Sequence, residues 1–188
     1  MNQETLDQAP FPVLKWDHYG WAGEVVLPSW AGFQARRDAY GGGSVGRPPD
    51  GTARLSIASL DSDARAHPTA EQVAAFRHLM DNEAEVADAV ARALVEYCPG
   101  EAYNGDDDEL MDVSEADDLR PLIGLSEVHV LDVFRDGFAC VGFQFGCVWH
   151  EEHGAGVMTH RGRVIATGQA DCSFLEWIAE QGLDRRRG

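Results

Sequence analysis

Between Pro68 and Pro99 the chain carries one uninterrupted apolar stripe at helical spacing. Val73, Phe76, Met80, Ala84, Ala87, Val90, Leu94 and Tyr97 recur at threes and fours, the period of a helix with one buried face. Thr69 is a good N-cap, and Gln72 three residues on completes a capping box. Pro99-Gly100 stops the pattern. A straight helix of about thirty residues is about 45 Å long, more than one domain of this size accommodates. A break at Asp81-Asn82 is therefore expected, with Asn82 capping the second half. Such a stripe needs a flat apolar partner, most simply a sheet.

The flanking sequence supplies strands. Val13 to Trp16, Trp21 to Leu27, Trp30 to Gln34 and Thr52 to Ser59 read as strands, the last by alternation of Ala53, Leu55, Ile57 and Ser59. After Gly124 the chain turns to β again, through Val128, Val130 and Phe134. Arg135-Asp136-Gly137 is a hairpin turn signal. Phe138 to Trp149 is a long apolar run, as expected of a strand buried on both faces. Gly156 to His160 and Arg163 to Thr167 form a further hairpin across Arg161-Gly162. Ser173 to Gln181 reads as a closing helix, with Phe174, Leu175, Trp177 and Ile178 as its apolar face and Gly182 as its stop.

Together these predict one α+β domain over residues 1–188: an antiparallel sheet, with a long or broken central helix and a C-terminal helix packed on one face. Residues 1–67 hold the N-terminal strands and a glycine-rich loop, 68–98 the helix, 99–124 an acidic loop, and 125–188 the β-hairpins and closing helix. The glycine loop matches G-x-G-x-x-G at Gly41, Gly43 and Gly46. A dinucleotide site needs a helix directly after that motif. Pro48-Pro49 follows instead, so the match is read as chance.

Charge narrows the partners. The 188 residues carry 15 Lys+Arg against 32 Asp+Glu, a formal charge of −17. A surface this acidic repels nucleic acid and anionic lipid, so neither is an expected partner. Most of the charge is local: from Asp81 to Asp118 fourteen acidic residues stand against Arg92 alone, a local −13. Asp106, Asp107, Asp108, Glu109, Asp112, Glu115, Asp117 and Asp118 are the candidate partner-binding residues, facing a cationic partner or simply solvent. An EF-hand spacing is absent from the run. No apolar window is long enough to span a bilayer, and the N-terminus has no apolar leader, so a cytoplasmic protein is expected. Cys98, Cys140, Cys147 and Cys172 contain no C-x-x-C pair and read as reduced core thiols.

One cluster looks chemical. In Trp149-His150-Glu151-Glu152-His153-Gly154 the histidines are three apart, not four as on the helix of a zinc protease. The glycines at 154 and 156 argue for a turn rather than a helix. The functional reading is a metal-assisted hydrolase using the His150-Glu151-Glu152-His153 cluster, with His150, His153 and His160 as metal ligands. The structural reading, favoured, is a turn closing a hairpin, with no metal and no cofactor. No G-x-S-x-G elbow and no activated cysteine suggest nucleophilic catalysis.

The same stretch, Val141 to Gly154, resembles the signature of an uncharacterised bacterial family. There a strand ends in Cys-x-Trp-Asp-x-Glu-His-Gly and is followed by a hairpin containing Gly-Val-x-x-His. Here Cys147, Trp149, Glu152, His153 and Gly154 match the first part, and Gly156-Val157-Met158-Thr159-His160 the second. His150 stands where the family has Asp. Gln72, Phe76, Leu79, Asn82 and Glu83 resemble its helical segment. Members resemble immunity proteins of polymorphic toxin systems. The resemblance implies a non-catalytic cytosolic binder of a cognate protein toxin or effector, with Trp149, Glu151, Glu152, His153, Gly154 and His160 as a structural signature. The acidic segment fits a basic partner such as a nuclease toxin.

Overall fold

The computed structural model describes residues 4–18, 20–34, 50–59, 65–100, 102–103, 106–110, 112–150 and 152–185. The strands are β1 (Thr5–Leu6), β2 (Leu14–Asp17), β3 (Gly20–Ala31), β4 (Asp50–Ala58), β5 (Ala102–Tyr103), β6 (Asp106–Leu110), β7 (Ile123–Arg135), β8 (Phe138–Cys147), β9 (Ala155–His160) and β10 (Arg163–Gly168). The helices are α1 (Ala70–Asp81), α2 (Glu83–Tyr97) and α3 (Glu176–Asp184). Eight strands form one sheet in the order β1-β2-β3-β4-β7-β8-β9-β10, while β5 and β6 pair separately. The class is α+β with a mostly antiparallel sheet. Among the described residues its one parallel junction is β4 with β7, where Arg54 lies beside Glu127 and Ile57 beside Val130. The chain between them carries both α1 and α2, and a crossover of that length returns a strand parallel to its predecessor.

The capping box forms as the sequence requires. The Thr69 hydroxyl accepts from the Gln72 backbone N–H at 3.2 Å, and the Gln72 side chain accepts from the Thr69 N–H at 2.9 Å. The break falls at Asn82, with a different role for that residue. Its side-chain amide donates to the His78 carbonyl at 2.9 Å, so it closes α1, and it makes no side-chain cap bond to α2. Glu83 instead joins α2 to the sheet, accepting from the Ser29 backbone N–H and hydroxyl at 3.1 and 2.9 Å. The third expected strand, Trp30 to Gln34, is not separate: β3 continues through Ala31 and ends where Gly32 turns with φ +83°.

The two faces of the sheet bury different things. Ala53, Leu55, Ile57, Val128, Val130, Phe143 and Phe145 pack with Phe76, Leu79, Val90 and Leu94 of α1 and α2 in the main core. The alternate residues of the same strands belong to a second cluster, in which Leu131, Cys140 and Met158 meet Ala179 and Leu183 of α3. Alternation along a strand sends neighbours to opposite faces. The helices therefore lie on both faces, not on one as the sequence suggested. Cys140 and Cys147 divide the same way, and all four cysteines are free and buried.

The C-terminal helix also starts later than expected. Ala170–Ser173 is a 3-10 turn, and α3 begins at Glu176. Its buried residues are Ala179, Gly182 and Leu183. Trp177, read from the sequence as part of the apolar face, is 53 % exposed. The turn is fixed by β8: a Cβ at Gly142 would overlap the Ser173 carbonyl, so only glycine admits this approach. The two hairpin turns, in contrast, are where the sequence put them. Asp136-Gly137 and Arg161-Gly162 both adopt positive φ at their two central residues, as two-residue hairpins require.

Candidate functional site

The acidic segment is more structured than a loop. Asp106–Leu110 is a strand paired with Ala102–Tyr103, and Ala116–Leu119 is a 3-10 turn packed against α2. The side chains of Asp106, Asp107, Asp108 and Glu109 lie outside the described residues, as do the Gly41–Gly46 loop and Glu151.

The carboxylates that are described divide into two groups. Some hold the fold. Asp118 accepts from the Ser114 and Glu115 backbone N–H groups at 2.9 and 3.0 Å, and from the Ser114 hydroxyl at 3.1 Å. Those bonds, the backbone ones first, keep its carboxyl below the usual range. Asp117 pairs with Arg120 at 2.8 Å, Asp88 with Arg92 at 3.0 Å, and Glu83 is bound to Ser29. Arg120 itself donates to the Ala31 carbonyl and stacks on Phe33, its guanidinium carbon 4.8 Å from the ring centroid. The second group points outward. Asp81 and Glu85 on α1 and α2, Glu96 near the end of α2, and Asp112 and Glu115 beyond it are all exposed. The 3-10 turn that follows Glu115 packs on α2.

The signature cluster is a turn. The His150 carbonyl accepts from the His153 and Gly154 N–H groups at 3.2 and 2.7 Å, and Gly154 has φ +59°. Trp149 is buried in the main core, whereas Glu152 and His153 are exposed. The ring of His153 lies 6.4 Å from that of His150. The His153 carbonyl accepts from Ala170 at 3.0 Å, tying this turn to the one before α3. Val148 donates to the Leu122 carbonyl at 3.0 Å, so the exit of the acidic segment and the signature turn meet at one end of the sheet.

His160 is at the other end. It pairs in register with Cys140 at the start of β8, and its Nε2 lies 3.0 and 3.2 Å from the Arg135 and Phe138 carbonyls, locking a hairpin. The suggested ligand set His150, His153 and His160 is thus not brought together, because β8 and β9 separate its members by their full length. Among the described residues no group of three or more His, Cys, Asp or Glu is placed to hold a metal ion.

One polar arrangement had not been singled out in the sequence. On the face opposite α1 and α2, Arg54 pairs with Asp17 and, at 3.2 Å, with Glu127. His129 is 3.8 Å from Glu127 and 3.1 Å from the Gln144 side-chain oxygen, with Phe174 against its ring at 5.5 Å. Burial depresses the His129 pKa to about 4, with the Arg54 charge adding to this and the Gln144 bond opposing it. The signal was present as the polar phase of the alternation: Arg54 beside Leu55, Glu127 and His129 around Val128. This group lies across the parallel junction and joins β2, β4, β7 and β8.

The fold and these sites define a small α+β domain with exposed carboxylates on and after its first two helices and a tight turn at His150–Gly154. The chain belongs to the family described as a domain of unknown function, DUF6985, which matches residues 51–175. That span runs from β4 to the residue before α3 and contains both the acidic segment and the signature turn. No curated protein and no solved structure matches the chain.

Proposed function

We propose that this protein is an immunity-type binding protein that neutralises a cognate bacterial toxin in the cytoplasm, engaging a basic partner such as a nuclease through its acidic side. The observation that carries the reading is the division of the carboxylates. Asp118 is bound by the Ser114 and Glu115 N–H groups, whereas Asp81, Glu85, Glu96, Asp112 and Glu115 are exposed on and just after the two helices. Clustered exposed charge of one sign raises association rates with an oppositely charged surface, to about 10⁸–10⁹ M⁻¹s⁻¹ at low salt. A flank of this charge competes with phosphate for a groove built to bind nucleic acid. The resemblance of Cys147 to His160 to the immunity-like signature points the same way, and the turn geometry supports a structural role for those residues.

The test is kinetic. The partner, captured from the producing organism or encoded beside this chain, is bound at increasing salt to the native protein and to a variant with Asp106, Asp107 and Asp108 changed to Asn and Glu109 and Glu115 to Gln. The reading requires an association rate that falls with salt and falls further in the variant. Equal rates in both proteins would remove the acidic side as the interface. Loss of protection by the variant in cells expressing the toxin checks the biological side of the same claim.

A further inference from the structure

Two apolar clusters of unequal size hold this fold. Among the described residues the smaller contains Leu131, Cys140, Met158, Ala179 and Leu183 as buried members, and it seats α3. Along α3 only Ala179, Gly182 and Leu183 are buried, while Glu176, Trp177, Glu180, Gln181 and Asp184 are exposed. Clefts flank the helix on both sides. One of about 330 Å³ lies toward β10 and is lined by Asp171, Trp177 and Arg185 among others. One of about 490 Å³ lies toward β7, where Asp132, Arg135, Glu176, Glu180 and Asp184 line it.

β7 treats the two ends of α3 oppositely. Arg135 donates to the Leu183 carbonyl and pairs with Asp184 at 2.7 Å, which anchors the C-terminal end. Asp132 faces Glu176 at the N-terminal end, and its Oδ1 is buried with no hydrogen-bond partner among the described residues. Among the described residues Arg135 is the one cation lining that cleft, and it is engaged at the Leu183–Asp184 end. β10 brings Ile165 and Ala166, β8 brings Cys140, whose thiol burial pushes up to about 12, and Asp171 and Arg185 line the opposite cleft.

We propose that α3 is a releasable latch: it undocks from the sheet as a unit, N-terminal end first, while the main core stays folded, and repulsion between Asp132 and the Glu176–Glu180 face sets how readily it leaves. Release uncovers Leu131, Cys140 and Met158. The Asp132 charge, followed by burial and by the side-chain hydrogen bond that a protonated Glu176 makes to Asp132, raises the Glu176 carboxyl above its ordinary value. A raised carboxyl binds its proton more tightly when docked. Docking is therefore favoured below pH 4.5, the ordinary value, and that advantage is lost as pH rises through the raised one. The latch is loosest at neutral pH.

Native-state hydrogen exchange tests this. At pH 7 the amides of residues 176–184 should show protection at least about tenfold below those of β8. Asp132→Asn should raise α3 protection several-fold at pH 7 and leave β8 unchanged, and in the native protein α3 protection relative to β8 should rise as pH falls toward 4.5. Exchange of α3 and β8 as one unit would overturn the proposal, and so would unchanged or lower α3 protection in the variant. If Asp132→Asn does not fold, Glu176→Gln, at an exposed position, reads the same repulsion from the helix side.

Discussion

Gln72 ties α1 to Leu131 on β7 with a single amide: its Nε2 donates to the Leu131 carbonyl at 3.1 Å and to the Ala58 carbonyl of β4 at 2.8 Å, while its Oε1 caps the helix through Thr69. The residue is 1 % exposed. One side chain thus satisfies the helix start and a carbonyl on each strand just past the last parallel pair, Ile57 with Val130. Gln72→Ala leaves two carbonyls and one N–H without these partners, and should cost about 2–4 kcal/mol in urea unfolding. Thr69→Ala should cost about 1 kcal/mol. Equal small losses in the two variants would show that the strand contacts contribute nothing.

Gly142 and Gly100 give a matched pair. A methyl at Gly142 meets the Ser173 backbone, whereas one at Gly100 meets nothing within 4 Å. Gly142→Ala should destabilise by about 3 kcal/mol or more, because backbone on both sides must move. Gly100→Ala should stay within about 0.5 kcal/mol. Thermal unfolding of the two variants side by side reads the difference.

His129 makes the protein acid-sensitive. Its folded pKa of about 4 lies below its unfolded value of 6.5, so the unfolded chain binds the proton first. The stability contribution is complete above pH 6.5 and is lost as pH falls toward 4. The full loss is on the order of 3 kcal/mol. Urea midpoints at pH 7.5, 5.5 and 4.5 should fall for the native protein and fall less for His129→Gln. A parallel decline in both proteins would assign the acid sensitivity to other groups.

Trp177 tests the register of the closing helix. At 53 % exposure it contributes little burial, so Trp177→Ala should change stability by less than about 0.5 kcal/mol. Trp21, 1 % exposed and donating to the Ala66 carbonyl at 2.9 Å, should cost about 3–5 kcal/mol when truncated to Ala. A large loss at Trp177 would restore the face that its sequence suggested.

The sequence by itself determined the features whose causes are local. The Thr69–Gln72 box, the break at Asn82, the hairpin turns at Asp136-Gly137 and Arg161-Gly162, and β8 as a strand buried on both faces all follow from a few adjacent residues. Their physics is hydrogen bonding within one turn, or burial of alternate side chains. Tertiary structure decided the rest. Nothing local says that β7 returns parallel to β4, since that depends on where the whole helical crossover ends. Nothing local says that α3 lies opposite α1 and α2, because both faces of β8 are apolar and either accepts a helix. The site divided in the same way. The density of carboxylates was legible, but which of them hold Ser29, Ser114 or Arg120 and which face outward depends on partners far away in the chain or across a turn. His150, His153 and His160 lie within eleven residues of sequence. An extended strand between them carries His160 to the far end of the sheet, because about 3.3 Å per residue cannot be folded away once β9 is paired.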